Sequence, residues 1–155
     1  GHSAGGHLAA MLLAHDWAAR TPDFPKTLVK NALSISGLYD LEPIRQTPCL
    51  QDLHLTPEQV RQASPVWLPR PTQGTLYSVS GGDESEEFLR QNRLIQQTWG
   101  AKTVPVCESL PGLNHFSILE MLTDPSHRLH QLALELLGLL HIIRSSFAFL
   151  PPRIT

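Results

Sequence analysis

Cysteine is nearly absent from this 155-residue sequence: only Cys49 and Cys107 occur, far apart and in no CxxC pair. That argues against a disulfide framework and against a cysteine zinc site, and leaves two ordinary thiols. Charge of one sign is lacking as well. Twelve Lys and Arg against fourteen Asp and Glu give a net charge of -2, and no basic run occurs, so there is no electrostatic reason to expect nucleic acid or an anionic membrane as partner. Long apolar runs are missing too: the most apolar stretch, Leu132 to Ile143, is broken by Glu135 and His141 and falls short of the ~18 to 20 residues of a membrane span. No internal repeat, low-complexity tract, signal peptide or transit peptide is visible. The expectation is a cytoplasmic globular protein of one ordinary domain's length, its 41% hydrophobic content sufficient for a core.

What is present begins at residue 1. Gly1-His2-Ser3-Ala4-Gly5-Gly6-His7-Leu8-Ala9 contains Gly-x-Ser-x-Gly, the form of a nucleophile elbow, a strand-to-helix turn so sharp that small residues must flank the serine. A random chain of this length matches three such positions with a chance of order ~0.05, so the motif alone decides little. Good helix formers follow, predicting a helix from about Ala4 to Ala19, ended at Arg20-Thr21-Pro22 because the residue before proline is pushed out of helical space. The preceding strand is expected to lie upstream of Gly1.

Downstream, the pattern alternates. Leu28 to Ser36 reads as a buried strand, Gly74 to Ser80 as the next, and Thr103 to Glu108 as a third whose Pro105 implies an edge or a strand start. Helices are predicted from Ser85 to Trp99, from Ser117 to Leu122 and from Ser126 to Leu140. Residues 45–72 are rich in proline and irregular, apart from a short helix marked by the capping box Thr56-Pro57-Glu58-Gln59. They read as a cap or lid segment without chemistry of its own. The tail 141–155, with Phe147-Ala148-Phe149-Leu150-Pro151-Pro152, has neither helical nor strand period and no assigned role.

Strand order supplies what the elbow alone does not. An acidic turn, Gly81-Gly82-Asp83-Glu84, follows the second strand, and His115 follows the third. Serine, acid and histidine, each just past a strand, is the order of the α/β-hydrolases, and that edge is where parallel sheets collect functional loops. Ser3 would be the nucleophile and His115 the base that takes its proton and protonates the leaving group. Asp83 or Glu84 would fix the imidazole tautomer, and the Ala4 N–H would hold the oxyanion. His2, His7 and His15 are read as packing or surface residues, since no carboxylate motif accompanies them to make a metal site. Tyr39 and Asp40 leave the first strand's end; the pair reads as structural, with Tyr39 kept as a candidate substrate contact.

Four stretches together resemble the serine-hydrolase type of arylformamidase, or kynurenine formamidase: Gly1 to Ala9, Ser36-Gly37-Leu38-Tyr39-Asp40-Leu41-Glu42-Pro43-Ile44, Gly81 to Gln91, and Asn114-His115-Phe116. The resemblance runs in order from residue 1 to about 140. It implies an α/β-hydrolase fold represented by its C-terminal portion, a mostly parallel sheet flanked by helices. It also implies deformylation of N-formyl-L-kynurenine in tryptophan breakdown, without a metal or other cofactor. The family's register places the acid just before Ser-x-Glu-Phe, which selects Glu84. The family's aspartate at that place is a glutamate here, so Asp83 stays open as the alternative. The family's upstream His-Gly-Gly loop, which supplies the second oxyanion donor, is not in this sequence, and an isolated chain without it is expected to be inactive. The expected partner is a small-molecule substrate, with a homodimer for a full-length form. A carboxylesterase of the same fold is the competing reading, and an inactive fragment or a hydrolase-fold binding protein is the alternative of another class.

Overall fold

The computed structural model describes residues 1–139 apart from Pro22 and Lys26. Three parallel strands form its centre in the order β1 (Asn31–Ile35), β2 (Thr75–Gly81), β3 (Val106–Leu110). Ala32 pairs with Leu76 and Ile35 with Val79 across the first ladder; Tyr77 pairs with Val106 and Gly81 with Leu110 across the second. Beside β1 lies an isolated bridge outside the three strands. His2 makes a parallel bridge with Ile35, whose N–H donates to the Gly1 carbonyl at 2.9 Å while Ser3 N–H donates to the Ile35 carbonyl at 2.9 Å. Gly1 and His2 thus run alongside β1 as the chain enters the turn at Ser3.

Among the described residues six helices flank the sheet: α1 (Ala4–Ala14), α2 (Glu42–Gln46), α3 (Pro57–Ala63), α4 (Glu86–Trp99), α5 (Ser117–Glu120) and α6 (Arg128–Leu136), with 3-10 turns at Pro48–Leu53 and Pro65–Trp67. Strand side chains alternate between two faces. Ala32 and Leu76 pack with Ala10 and Leu13 of α1 and Ile95 and Trp99 of α4. Ile35, Val79 and Leu110 pack with Ile118 of α5 and Leu129 and Leu132 of α6. Helices thus cover both faces of a parallel sheet, as parallel pairing demands.

Most elements fall where the sequence puts them, with shifts at their ends. The capping box of α3 is made in both directions, Gln59 N–H donating to Thr56 Oγ1 at 3.2 Å and Thr56 N–H to Gln59 Oε1 at 2.8 Å. The first helix stops five residues short of Ala19. His15 is extended, the Trp17 indole N–H donates to the Leu12 carbonyl at 3.0 Å, and Ala19 N–H donates to Asp16 Oδ1. These side-chain bonds give the backbone an alternative to further helix. The third strand starts at Val106, because Thr103 and Val104 donate their N–H groups to the Gly100 carbonyl and so belong to the turn closing α4. The last helix ends at Leu136 with Gly138 at φ 70° behind it, where glycine accepts the left-handed conformation. Among the described residues no helix is long and apolar enough to cross a membrane. The tail 141–155 lies outside the described residues.

Candidate active site

The residues singled out in the sequence gather past the C-terminal ends of the strands. Ser3 stands at the turn into α1 with φ 54° and ψ -118°, a conformation that non-glycine residues occupy only when surrounding structure enforces it. The enforcement is visible in the backbone. Ser3 N–H is bonded into β1, Gly5 N–H donates to the His2 carbonyl at 2.7 Å, and His7 N–H donates to the Ser3 carbonyl at 3.0 Å. The turn is so tight that a Cβ on Gly1 would lie 2.1 Å from the Gly5 carbonyl oxygen. Ala4, the first residue of α1, is exposed, and as a first-turn residue its N–H has no carbonyl within the helix to bond.

The acid turn and the histidine loop are held together by two backbone bonds. Gly82 N–H donates to the Leu110 carbonyl at 2.6 Å and Asp83 N–H to the Leu113 carbonyl at 3.0 Å. These bring Glu84 Oε2 to 2.8 Å from His115 Nδ1. The Glu84 side chain is fully buried, and its other oxygen accepts from the Ser36 hydroxyl and from Gly81 N–H, the latter at 2.7 Å. A buried carboxylate requires such donors. Asp83 is exposed, so of the two acids it is Glu84 that meets the imidazole. With Nδ1–H donated to Glu84, His115 keeps Nε2 free as a base. Among the described residues no hydrogen bond joins the Ser3 hydroxyl to His115.

Two participants carried no role in the sequence reading. Ser36 ends β1 at φ 50°, which turns its hydroxyl toward Glu84; a left-handed serine leaves no mark in a residue pattern. His2, read as a packing or surface residue, donates its Nε2–H to the His115 carbonyl at 2.8 Å, and its ring centroid lies 4.5 Å from that of His115. Burial, the largest influence, pulls the His2 pKa below its ordinary 6.5. Phe88 lies 4.5 Å from the His115 ring, and Phe116, 77% exposed, meets it edge-on at 5.4 Å.

Tyr39 corrects an expectation. Instead of facing a substrate it is fully buried, its hydroxyl donating to Ser34 Oγ at 2.7 Å and sharing a second bond with Ser78 Oγ at 2.7 Å. Burial pushes its pKa up to about 12. Asp40 is likewise structural, accepting from Arg90 and from Glu42 N–H. The backbone N–H groups of both residues donate to Gln91 Oε1, at 2.8 and 2.9 Å, which pins the loop after β1 to α4. His7 donates to the Ala63 carbonyl at 2.7 Å, docking α3 on α1, and His15 packs against Trp17.

No protein-family model matches the chain. It is 35% identical over 150 residues to the kynurenine formamidase of Salmo salar, covering 89% of this chain and 48% of that protein. To the kynurenine formamidase of Danio rerio it is 33% identical over 144 residues, with 89% and 48% covered. Among solved structures it is similar to a Silicibacter protein proposed to be a thioesterase, with a TM-score of 0.69, 28% identity, and 83% of this chain and 47% of the other covered. The chain spans about half the length of the curated relatives it matches. It is a homologue of kynurenine formamidases with the parallel, helix-flanked sheet of a hydrolase fold.

Proposed function

We propose that this chain, a homologue of kynurenine formamidases, carries the Ser3–His115–Glu84 machinery of a serine hydrolase that deformylates aromatic amines such as N-formyl-L-kynurenine. The observation that carries the reading is the buried Glu84 carboxylate on His115 Nδ1 at 2.8 Å, beside a serine in a strained elbow. Buried acid–imidazole pairs of this kind are costly to build for packing alone.

The chemistry follows from the placement of protons. As Ser3 Oγ forms its bond to the formyl carbon, its proton passes to His115 Nε2, and the Glu84 carboxylate stabilises the imidazolium. The carbonyl oxygen becomes an oxyanion, received by the Ala4 N–H at the positive end of α1. The C–N bond then breaks, His115 returns the proton to the departing amine, and a formyl ester remains on Ser3. Water attacks that ester, giving a proton to His115; the Ser3 Oγ–carbon bond breaks, His115 returns the proton to Ser3 Oγ, and formate leaves. No step calls for a metal.

Ester hydrolysis is the second reading, favoured by the similarity to the Silicibacter protein proposed to be a thioesterase and by the fact that one triad serves both acyl transfers. Formate release from N-formyl-L-kynurenine, compared with turnover of p-nitrophenyl acetate by the native protein, separates the two. Deformylation is expected to dominate; rapid ester turnover without formate release contradicts the first reading.

A further inference from the structure

His2 takes no part in the proton transfers just described, yet it joins the two elements that must meet for them to occur. It lies next to Ser3 in the chain, and its backbone is locked to β1 through the bridge with Ile35. Its ring reaches 113 residues along the chain to donate Nε2–H to the His115 carbonyl at 2.8 Å. His115 sits on a loop past β3, outside any ladder. Glu84 fixes the ring of His115 through Nδ1, which sets its tautomer and tilt but leaves the backbone of the loop to be held by other contacts. The His2 side chain provides one such contact, anchored on the residue that precedes the serine.

We propose that His2 is a positioning residue: by binding the His115 carbonyl it sets the distance between the Ser3 hydroxyl and His115 Nε2. The inference rests on the reading of Ser3 and His115 as nucleophile and base. A purely space-filling role would be served as well by phenylalanine, whereas the donated hydrogen bond needs an N–H at the position of Nε2. The groups that face the His2 ring are His115, Glu84 and the Gly1 ammonium. Burial works against placing another cation among them, so the neutral Nε2–H tautomer is the form that serves.

The test uses the native protein labelled with 15N-histidine, together with His2→Phe, which keeps a ring, and His2→Gln, whose amide nitrogen reaches the same place. In the wild type, two-bond 1H–15N correlation is expected to find His2 protonated at Nε2. His2→Phe is expected to move the His115 imidazole resonances and to slow fluorophosphonate labelling of Ser3 by about tenfold or more, since misplacement on the ångström scale costs that much. His2→Gln is expected to restore both. Finding His2 protonated at Nδ1 in the wild type overturns the proposal without any variant, even if His2→Phe does not fold. So does a folded His2→Phe chain with His115 resonances and labelling rate unchanged. Absence of labelling in every chain, with the His115 resonances still moving in His2→Phe, contradicts the role of Ser3 while leaving the positioning by His2 supported.

Discussion

Glu84 and Asp83 are neighbours of the same charge, and only one of them can serve His115. Glu84→Gln keeps the volume and an acceptor but removes the charge that stabilises the imidazolium, and is expected to lower turnover by about four orders of magnitude. Asp83→Asn, at an exposed position, is expected to leave turnover unchanged and stability within about 0.5 kcal/mol. Parallel rate measurements on the two variants check the assignment; the opposite ranking would transfer the role to Asp83. The sequence could name this pair but not choose within it, because a one-residue step along a turn reverses a side chain's direction, and composition does not record direction. Tyr39 illustrates the same gap. Its place after β1 put it at the edge where the other candidates lie, but the ring folds back beneath that edge onto Ser34 and Ser78. Small hydroxyl residues inside an apolar strand were the available sign that a buried polar partner was needed.

At the level of elements, helix beginnings were legible and helix ends less so. Starts carry capping chemistry, such as Thr56 and Gln59, whereas α1 ends in residues that favour helix and is closed by the Asp16 and Trp17 side chains. The junction of β2 with the histidine loop is the element-scale weak point. A Cβ on Gly81 would stand 2.2 Å from the Leu113 carbonyl oxygen, a backbone atom that cannot swing aside. Gly81→Ala is expected to destabilise the fold by about 1–3 kcal/mol. It should also part Glu84 from His115, seen as loss of the imidazole proton resonance shared with the carboxylate. Thr56→Ala, which removes only a cap, should cost about 1 kcal/mol and leave that resonance in place. Denaturant midpoints and one proton spectrum of each variant distinguish the two effects.

For the whole molecule, the order of serine, acid and histidine was readable because each follows a strand, and a parallel sheet delivers all such loops to one edge. What the order could not supply was the set of contacts that holds those loops together: Ser36 on Glu84, and His2 on His115. The buried Tyr39 gives the fold an alkaline limit. Its pKa of about 12 in the folded protein stands above the ordinary 10.0, so the unfolded chain releases the proton first. The stabilisation is complete below pH 10 and is lost as pH rises toward about 12. Tyr39→Phe should flatten that limb of a stability–pH curve; an unaltered limb would assign it to other groups. Fluorophosphonate treatment of the native protein followed by peptide mapping tests whether Ser3 is the nucleophile of this site. One adduct, on Ser3, and none in Ser3→Ala is the expected result; an adduct on another residue, or labelling that persists in Ser3→Ala, would assign the nucleophile elsewhere.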